Sequence, residues 1–292
     1  SRYWNERGED VILFDSPERT LAVRKPNGDV WSPAVFPGRT TPKGYRCTYA
    51  PAAWTASGED EQVRVTWRIG VPLDRSVEMW TVTLENLSKS VVVRDIFVYL
   101  PLQLRGYCLG SLGLYRFYGA NTMFNRAYEQ PEQNAVWADN RVPGMPHDRY
   151  KAFLACDVKP TGTDTARDAF LGLSESIFAA DAIQRGKCSG SVGYFGPLCL
   201  AMHHGVELKP GATRELNFLT GPTSGPEETA RLCGELLAPG VFAREIDRVA
   251  AIRRREQDAA IIRTAVPGLD RLANTWVKCQ NRLGVLHRKG FR

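Results

Sequence analysis

The stretch QVRVTWRIG, residues 62–70, decides the fold class, because its apolar and polar side chains alternate strictly. Val63, Val65 and Trp67 recur at every second position, with an arginine or a threonine between them. A period of two residues is typical of a β-strand that buries one face and exposes the other. This stretch therefore predicts a half-buried strand.

The neighbouring segments repeat the alternation. VEMWTVTLENLS (77–88) places Trp80, Val82 and Leu84 on one side, and VVVRDIFVYL (91–100) follows after a short polar turn. Three such strands in succession predict an antiparallel meander.

Two turn signals predict β-hairpins. TLAVRK (20–25) and DVWS (29–32) flank Asn27-Gly28, a dipeptide that supplies the positive φ angles of a tight turn. GVELKPGATRELNFLTG (205–221) predicts a second hairpin that turns at Pro210-Gly211.

Between residues 103 and 150 the alternation gives way to glycines, aromatic residues and polar residues. An irregular stretch of this length within a compact domain is usually functional. Its glycines Gly106, Gly110 and Gly113 have neither the spacing nor the surrounding βαβ unit of a dinucleotide site. The stretch therefore predicts a functional loop of another kind.

Helices are predicted after Gly221, where Ala, Leu, Arg and Glu replace the β-branched residues. Ser224 and Glu227 have the spacing of a capping box, and a second helix is predicted from about Ala243 to Ile262. A third helix, beginning at Leu269, carries an apolar stripe made of Leu269, Leu272, Ala273, Trp276 and Leu283.

Composition excludes several classes of protein. The 292 residues are 43% hydrophobic, which suits one large β domain or two smaller domains. The net charge of +6 is spread along the chain, and the one dense basic cluster, residues 253–255, is followed at once by acidic residues, so no nucleic-acid partner is predicted. Residues 1–10 lack a signal-peptide core, and no apolar run reaches the roughly 18 residues that span a bilayer, so no membrane partner is predicted.

The cysteines predict neither a disulfide framework nor a zinc site, because they are odd in number, widely spaced and without a C-x-x-C pair. We therefore expect a reducing, cytoplasmic location. The seven residues are Cys47, Cys108, Cys156, Cys188, Cys199, Cys233 and Cys279.

No catalytic or metal-binding residue is predicted. Cleavage of a glycosidic bond needs a carboxylic acid and an opposing nucleophile or base. The aspartates in or just beyond the irregular stretch are predicted to be turn or surface residues; they are Asp139, Asp148, Asp164 and Asp168. No serine lies in a nucleophile elbow. His203 and His204 are adjacent on a predicted strand, so they point to opposite faces and cannot chelate one ion.

Arg126 is the strongest candidate for ligand binding. It stands between Phe124 and Tyr128 in TMFNRAYEQ, a stretch in which we recognise no helical or strand period. Its five N–H donors suit sugar hydroxyls, carboxylates or phosphates, and aromatic faces can cover the apolar face of a pyranose. The alternative is an ion pair with Glu129 or Glu132, and spacing alone favours it.

Six groups of motifs, in this order, resemble those of glycoside hydrolase family 94. They are WSP (31–33), TLENLS (83–88), MFNRAY (123–128), HDRYKAFLAC with TGTDTARDAFLG (147–156 and 161–172), LDRLANTWVKCQ (269–280) and RKGFR (288–292). The resemblance covers nearly the whole chain. That family contains the inverting phosphorylases of cellobiose and related β-glucosides, and related modules occur in cyclic β-1,2-glucan synthases.

The resemblance implies a mainly β fold with a C-terminal helical segment. Residues 1–222 would form a large antiparallel β-sandwich of the galactose-mutarotase-like supersandwich type, with its first part missing. Residues 223–266 would form a helical linker, and residues 267–292 the first helix of an (α/α)6 catalytic barrel. A homodimer in which sandwiches pack against barrels is also implied.

The resemblance also implies site residues. MFNRAY assigns substrate binding to Arg126 and to its neighbour Tyr128, and RKGFR assigns it to Arg288 and Arg292. In the implied reaction inorganic phosphate, the co-substrate, attacks the anomeric carbon of a β-linked glucoside while a protonated aspartate releases the other sugar. That aspartate lies outside these motifs, so the chain is expected to be the N-terminal portion of such an enzyme, without cofactor, metal or activity of its own.

Two alternatives stay open. The chain could be a non-catalytic β-sandwich that binds glycans or mediates assembly, or a module of a cyclic β-1,2-glucan synthase. A reading frame that continues into several hundred residues of helical pattern would argue against the non-catalytic alternative.

Overall fold

The computed structural model describes residues 19–35, 40–102, 104, 124–141, 151–174 and 176–278. Two antiparallel sheets dominate this part of the chain. The five-stranded sheet contains β1 (Thr20–Arg24), β2 (Val30–Trp31), β7 (Val92–Leu102), β11 (Gly162–Ala166) and β12 (Leu198–Leu208). The eight-stranded sheet contains β3 (Lys43–Tyr49), β4 (Ala53–Glu59), β5 (Val63–Gly70), β6 (Glu78–Asn86), β8 (Asn125–Gln130), β9 (Ala135–Asn140), β10 (Lys151–Cys156) and β13 (Thr213–Pro222).

The strand order places β11 and β8 at edges of their respective sheets. The five-stranded sheet runs β11-β12-β7-β1-β2, and the eight-stranded sheet runs β3-β4-β5-β6-β13-β10-β9-β8. This architecture is the mainly antiparallel β-sandwich that the sequence predicts.

Helices cover the outer faces of both sheets. Helices α1 (Arg167–Leu171) and α2 (Asp181–Arg185) contribute to an apolar cluster with the five-stranded sheet. Helices α3 (Pro226–Leu236) and α4 (Val241–Asp258) contribute to a second apolar cluster with the eight-stranded sheet. Helix α5 (Pro267–Arg271) continues into a π-helical segment, Leu272–Val277.

The main apolar core lies between the two sheets. The alternating apolar side chains of β5 point into it. Val63, Val65 and Trp67 are buried there, as predicted. Trp67 packs edge-on against Trp80 at a centroid distance of 5.2 Å. On β6, Met79 is buried on the opposite face from Trp80, because α3 and α4 cover that side of the sheet.

The predicted hairpin at Asn27-Gly28 is confirmed. Strands β1 and β2 pair antiparallel with Val23 opposite Trp31. Gly28 has a φ of 95°, a conformation that favours glycine.

The second predicted hairpin and the meander are wrong in their pairing. Strand β12 pairs with β7 and β11, whereas β13 pairs with β6 and β10, so the turn at Pro210-Gly211 crosses from one sheet to the other. The connection between β6 and β7 crosses in the same way, although β5 and β6 do pair. Two strands with alternating apolar and polar residues can pair within one sheet or face each other across a core. The sequence pattern is the same in both arrangements.

The predicted helix starts also need correction. Gly225 is the N-cap of α3, and Glu228, rather than Glu227, accepts the backbone N–H of Ser224 at 2.6 Å. Helix α4 is Val241–Asp258 instead of about 243–262, and the last helical segment begins at Pro267. The last strand ends at Pro222, but the proposed division into three domains stays a prediction.

A buried ion pair joins the two sheets. Arg94 on β7 donates from Nε to Asp60 Oδ2 at 2.9 Å and from Nη2 to Asp60 Oδ1 at 3.1 Å. Asp60 lies in the turn between β4 and β5, where it also accepts the backbone N–H groups of Gln62 and Val63. Both charged side chains are only 3% exposed.

The two adjacent histidines point to opposite faces of β12, as predicted. His203 stacks on Phe97 on the outer face of the sheet, and its Nε2 lies 3.0 Å from Asp95 Oδ1. His204 faces the core and packs edge-on against Phe218 at 5.4 Å.

Acid should destabilise the protein through His204. Burial, helped by the nearby His203 and Arg214, lowers the pKa of His204 from 6.5 to about 4. The folded protein therefore favours the neutral His204 ring. The contribution of this ring to the free energy of unfolding is complete above pH 6.5 and is lost as the pH falls towards 4. We expect His204→Leu to remove about 2–3 kcal/mol of the stability loss between pH 7 and pH 4.5, measured by urea unfolding.

Phe218→Leu is the matched control for this prediction, because it perturbs the same contact without changing a titrating group. It should lower stability by a similar amount at both pH values. An unchanged pH dependence in His204→Leu would contradict the prediction.

Candidate functional site

Strand β8 carries the residues that the sequence analysis singled out. Residues 125–130 of TMFNRAYEQ form a regular edge strand, so the prediction that no strand period applies there is wrong. The predicted irregularity of residues 103–150 is also wrong where β8 and β9 lie. Ala127 faces the core between the sheets, whereas Arg126 and Tyr128 are half-buried on the other face. Phe124, Arg126 and Tyr128 are two residues apart, which is the spacing of one strand face.

The aromatic ring nearest to the Arg126 guanidinium in the described structure comes from a distant segment. The guanidinium carbon lies 5.2 Å from the ring centroid of Tyr194. Tyr128, by contrast, stacks on Trp137 of β9 at 4.3 Å with an interplanar angle of 17°. Tyr128 thus supports the sheet face beside Arg126, with one ring face already occupied.

The alternative ion pairs for Arg126 do not form within the described residues. Glu129 instead accepts a hydrogen bond from Thr163 Oγ1 at 2.5 Å, and Glu132 is exposed. Asp139 lies opposite Arg126 in the β8–β9 register, but its Oδ2 pairs with Nε of Arg141 at 2.5 Å. No carboxylate in the described part of the chain forms an ion pair with Arg126.

A turn formed by residues 188–197 brings Tyr194 to this position, because it bridges the edges of both sheets. On one side its backbone bonds to β11, through Gly190 N–H to Thr163 O at 3.0 Å. On the other side it bonds to β8, through Ala127 N–H to Gly193 O at 2.8 Å and Phe195 N–H to Asn125 O at 3.0 Å. We call it the 188–197 turn.

Asp164 holds the base of the 188–197 turn. It is fully buried, and its carboxylate accepts four hydrogen bonds, from the backbone N–H and the hydroxyl of both Ser189 and Ser191. Asp139 is also fully buried. The prediction that these aspartates are turn or surface charges is therefore wrong for both, although Asp168 is exposed as predicted.

A cleft of about 800 Å³ lies further along the same sheet, where Lys151 and Ser224 meet helix α3. Both of the arginines that line it already form ion pairs. Arg75 and Arg231 both pair with Glu235, at 3.1 and 2.8 Å. This cleft is therefore a weaker candidate for binding a charged ligand than the surface around Arg126.

Three of the candidate catalytic and binding residues considered in the sequence analysis lie outside the described part of the chain. Asp148, Arg288 and Arg292 are outside, so the binding roles of the two arginines stay predictions. Among the described residues, no group of three His, Cys, Asp or Glu side chains is placed to hold a metal. None of the described helices combines the length and apolar character needed to cross a membrane.

The described cysteines are free thiols. Burial raises the pKa of the Cys188 and Cys199 thiols, so neither resembles an activated nucleophile.

Tyr194, Phe195 and the supporting role of Asp164 were not predicted from the sequence. A local signal was present: KCSGSVGYFGP, residues 187–197, places two aromatic residues among three glycines. Such a pattern marks a turn, but only the pairing with β8 brings it to Arg126.

Comparison with known proteins identifies the family to which this two-sheet β-sandwich belongs. The family described as "Glycosyl hydrolase 94, supersandwich domain" matches residues 7–239. The chain belongs to this family, and the resemblance found in the sequence motifs is confirmed.

Three characterised relatives are phosphorylases by name. Solabiose phosphorylase of Paenibacillus borealis is 28% identical over 96% of this chain and 36% of its own length. The 3-O-beta-D-glucopyranosyl-beta-D-glucuronide phosphorylase of the same organism is 26% identical over 73% of this chain and 27% of its own. Cellobionic acid phosphorylase of Neurospora crassa is 22% identical over 76% of this chain and 27% of its own length. The chain thus spans 27–36% of the length of these relatives.

Proposed function

We propose that this chain is the N-terminal portion of an inverting phosphorylase of β-linked glucosides, and that Arg126 contacts the sugar. The observation that carries the proposal is the guanidinium of the half-buried Arg126, which lies over an aromatic ring and has no carboxylate partner in the described structure. The names of the three relatives support the reaction class.

In the proposed reaction, inorganic phosphate attacks the anomeric carbon and the bond to the leaving sugar breaks with inversion. A carboxylic acid donates its proton to the leaving oxygen. Arg126 acts by binding and orientation, because a guanidinium offers N–H donors to hydroxyl oxygens and cannot serve as an acid near neutral pH. The acid and the phosphate ligands would come from a helical barrel that completes the site.

The proposal includes a homodimer and a cytoplasmic location. The dimer follows from the family resemblance, in which sandwiches pack against barrels. The location is supported by cysteines that are odd in number and widely spaced, a pattern typical of a reducing compartment.

Arg126→Ala should impair sugar binding in the complete reading frame. Loss of charge-assisted hydrogen bonds to hydroxyls predicts an increase of about ten- to a hundredfold in KM for the glucoside, with a smaller change in kcat. The measurement is phosphate-dependent release of glucose 1-phosphate from a panel of β-linked glucosides.

Arg46→Ala is the matched control, because Arg46 is an exposed arginine on β3, at the opposite edge of the same sheet. It should leave KM unchanged. Phosphorolysis that is indifferent to Arg126 would remove the residue from the site, and absence of phosphorolysis with the whole panel would overturn the proposed function in favour of a non-catalytic sandwich.

A further inference from the structure

Two aromatic side chains of the 188–197 turn are exposed at the edge of the sandwich. Tyr194 is 55% exposed and Phe195 is 54% exposed, and their rings meet edge to face at a centroid distance of 4.2 Å. Large aromatic side chains of the sheets, Trp80, Phe97 and Phe153 among them, are fully buried. An exposed aromatic pair has unused apolar surface that a ligand can cover.

The backbone of the turn holds this pair in one arrangement. Phe195 has a φ of 53°, a left-handed conformation that is unfavourable for a bulky residue and persists only where the surroundings impose it. The surroundings here are the strand-like bonds to β8 and the buried Asp164 carboxylate beneath Ser189 and Ser191. The aromatic pair is therefore positioned before any ligand arrives.

Arg126 supplies the polar half of the same surface. Its guanidinium lies against the Tyr194 ring, so its N–H donors and an aromatic face are presented side by side. A pyranose has the matching chemistry, because its C–H groups form an apolar face and its hydroxyls ring the edge as acceptors.

We propose that Tyr194 and Phe195 form an aromatic platform on which a pyranose ring stacks, with Arg126 donating to its hydroxyls. This inference rests on the proposed function for any role in catalysis. It adds to that function the residues that would determine sugar specificity. Asp164 is a positioning residue, since it acts on the sugar only through the turn.

The first test measures sugar binding by the 292-residue chain itself and needs no catalysis. Cellobiose, laminaribiose, sophorose and gentiobiose are titrated and the dissociation constants are measured by NMR. We expect at least one of them to bind, about tenfold more weakly to Tyr194→Ala or Phe195→Ala, and with little change to Tyr194→Phe, which keeps the ring.

Tyr49→Ala is the matched control, because Tyr49 is a 75% exposed aromatic residue on β3, at the opposite edge of the eight-stranded sheet. It should not change sugar binding. Affinity within twofold of the unmodified chain in the Tyr194→Ala/Phe195→Ala double variant, with thermal unfolding unchanged, would overturn the platform. Absence of binding for all four sugars would overturn it as well, and so would a double variant that changes only the oligomeric state.

The two proposals fail in different ways. If phosphorolysis by the complete reading frame depends on Arg126 but not on Tyr194 and Phe195, the platform is wrong and the proposed function stands. If the sugars bind through Tyr194 and Phe195 but no phosphorolysis occurs, the platform stands as a glycan-binding site and the proposed function is wrong.

Discussion

Replacing Arg94 with methionine should lower the free energy of unfolding by about 3–5 kcal/mol, because it leaves the buried Asp60 carboxylate without its charged partner. The pair forms two direct hydrogen bonds across the two sheets, so the loss also weakens the junction between them. Urea unfolding at neutral pH measures the effect.

The pH dependence of this variant provides a second readout. In the native protein burial raises the pKa of Asp60, but the hydrogen bonds from Arg94 and from two backbone N–H groups outweigh burial and lower it. The ionised Asp60 carboxylate therefore stabilises the folded protein at pH values above the usual pKa of an aspartate. This contribution to the free energy of unfolding is lost as the pH falls. Without Arg94, burial dominates and the carboxyl can take up a proton, so the difference between Arg94→Met and the native protein should shrink in acid.

Arg64→Met is the matched control for the buried pair. Arg64 forms ion pairs with Glu59 and Glu85 at the surface of the same sandwich, and its side chain is 42% exposed. Solvent screens such pairs, so we expect a loss below about 1 kcal/mol. An Arg94→Met loss no larger than that of Arg64→Met would show that the junction between the sheets does not depend on the buried charge.

Asp164→Ala should lower the free energy of unfolding by about 3 kcal/mol and release the 188–197 turn. The substitution removes the acceptor for four donors around a fully buried site, and unsatisfied buried donors each cost about 1–3 kcal/mol unless water reaches them. Amide hydrogen exchange should accelerate at Ser189 and Ser191, and chemical denaturation should report the loss of stability.

Two variants make this prediction specific. Asp164→Asn keeps one carbonyl acceptor and should lose less stability than alanine. Asp168→Ala removes an exposed carboxylate four residues away and should change stability by no more than about 0.5 kcal/mol. If exchange at Ser189 and Ser191 stays slow in Asp164→Ala, the carboxylate does not hold the turn.

Arg126 illustrates how much of the candidate site the sequence could predict. Its donor chemistry and its place in MFNRAY were enough to select it as a candidate for binding. Tyr128 stacks on Trp137, and the ring that approaches the guanidinium is that of Tyr194 in the 188–197 turn, which the sequence did not indicate. The binding role of Tyr128 stays a prediction. A contact between two segments that are distant in sequence produces no periodic pattern in either of them, so neither β8 nor the 188–197 turn indicates it by itself.

The sequence by itself determined the strand type and the faces of β5, the positive-φ turn at Gly28, and the change from strands to helices, which it placed after Gly221 and which follows Pro222 in the structure. It did not indicate the short helices α1 and α2, which precede that point. These features depend on local spacing and backbone sterics, which a short stretch of residues contains in full. Only the tertiary structure decided that β6 and β7 lie in opposite sheets and that Asp164 is a buried anchor. Both outcomes depend on hydrogen-bond partners far away in sequence, and alternation alone is compatible with either sheet.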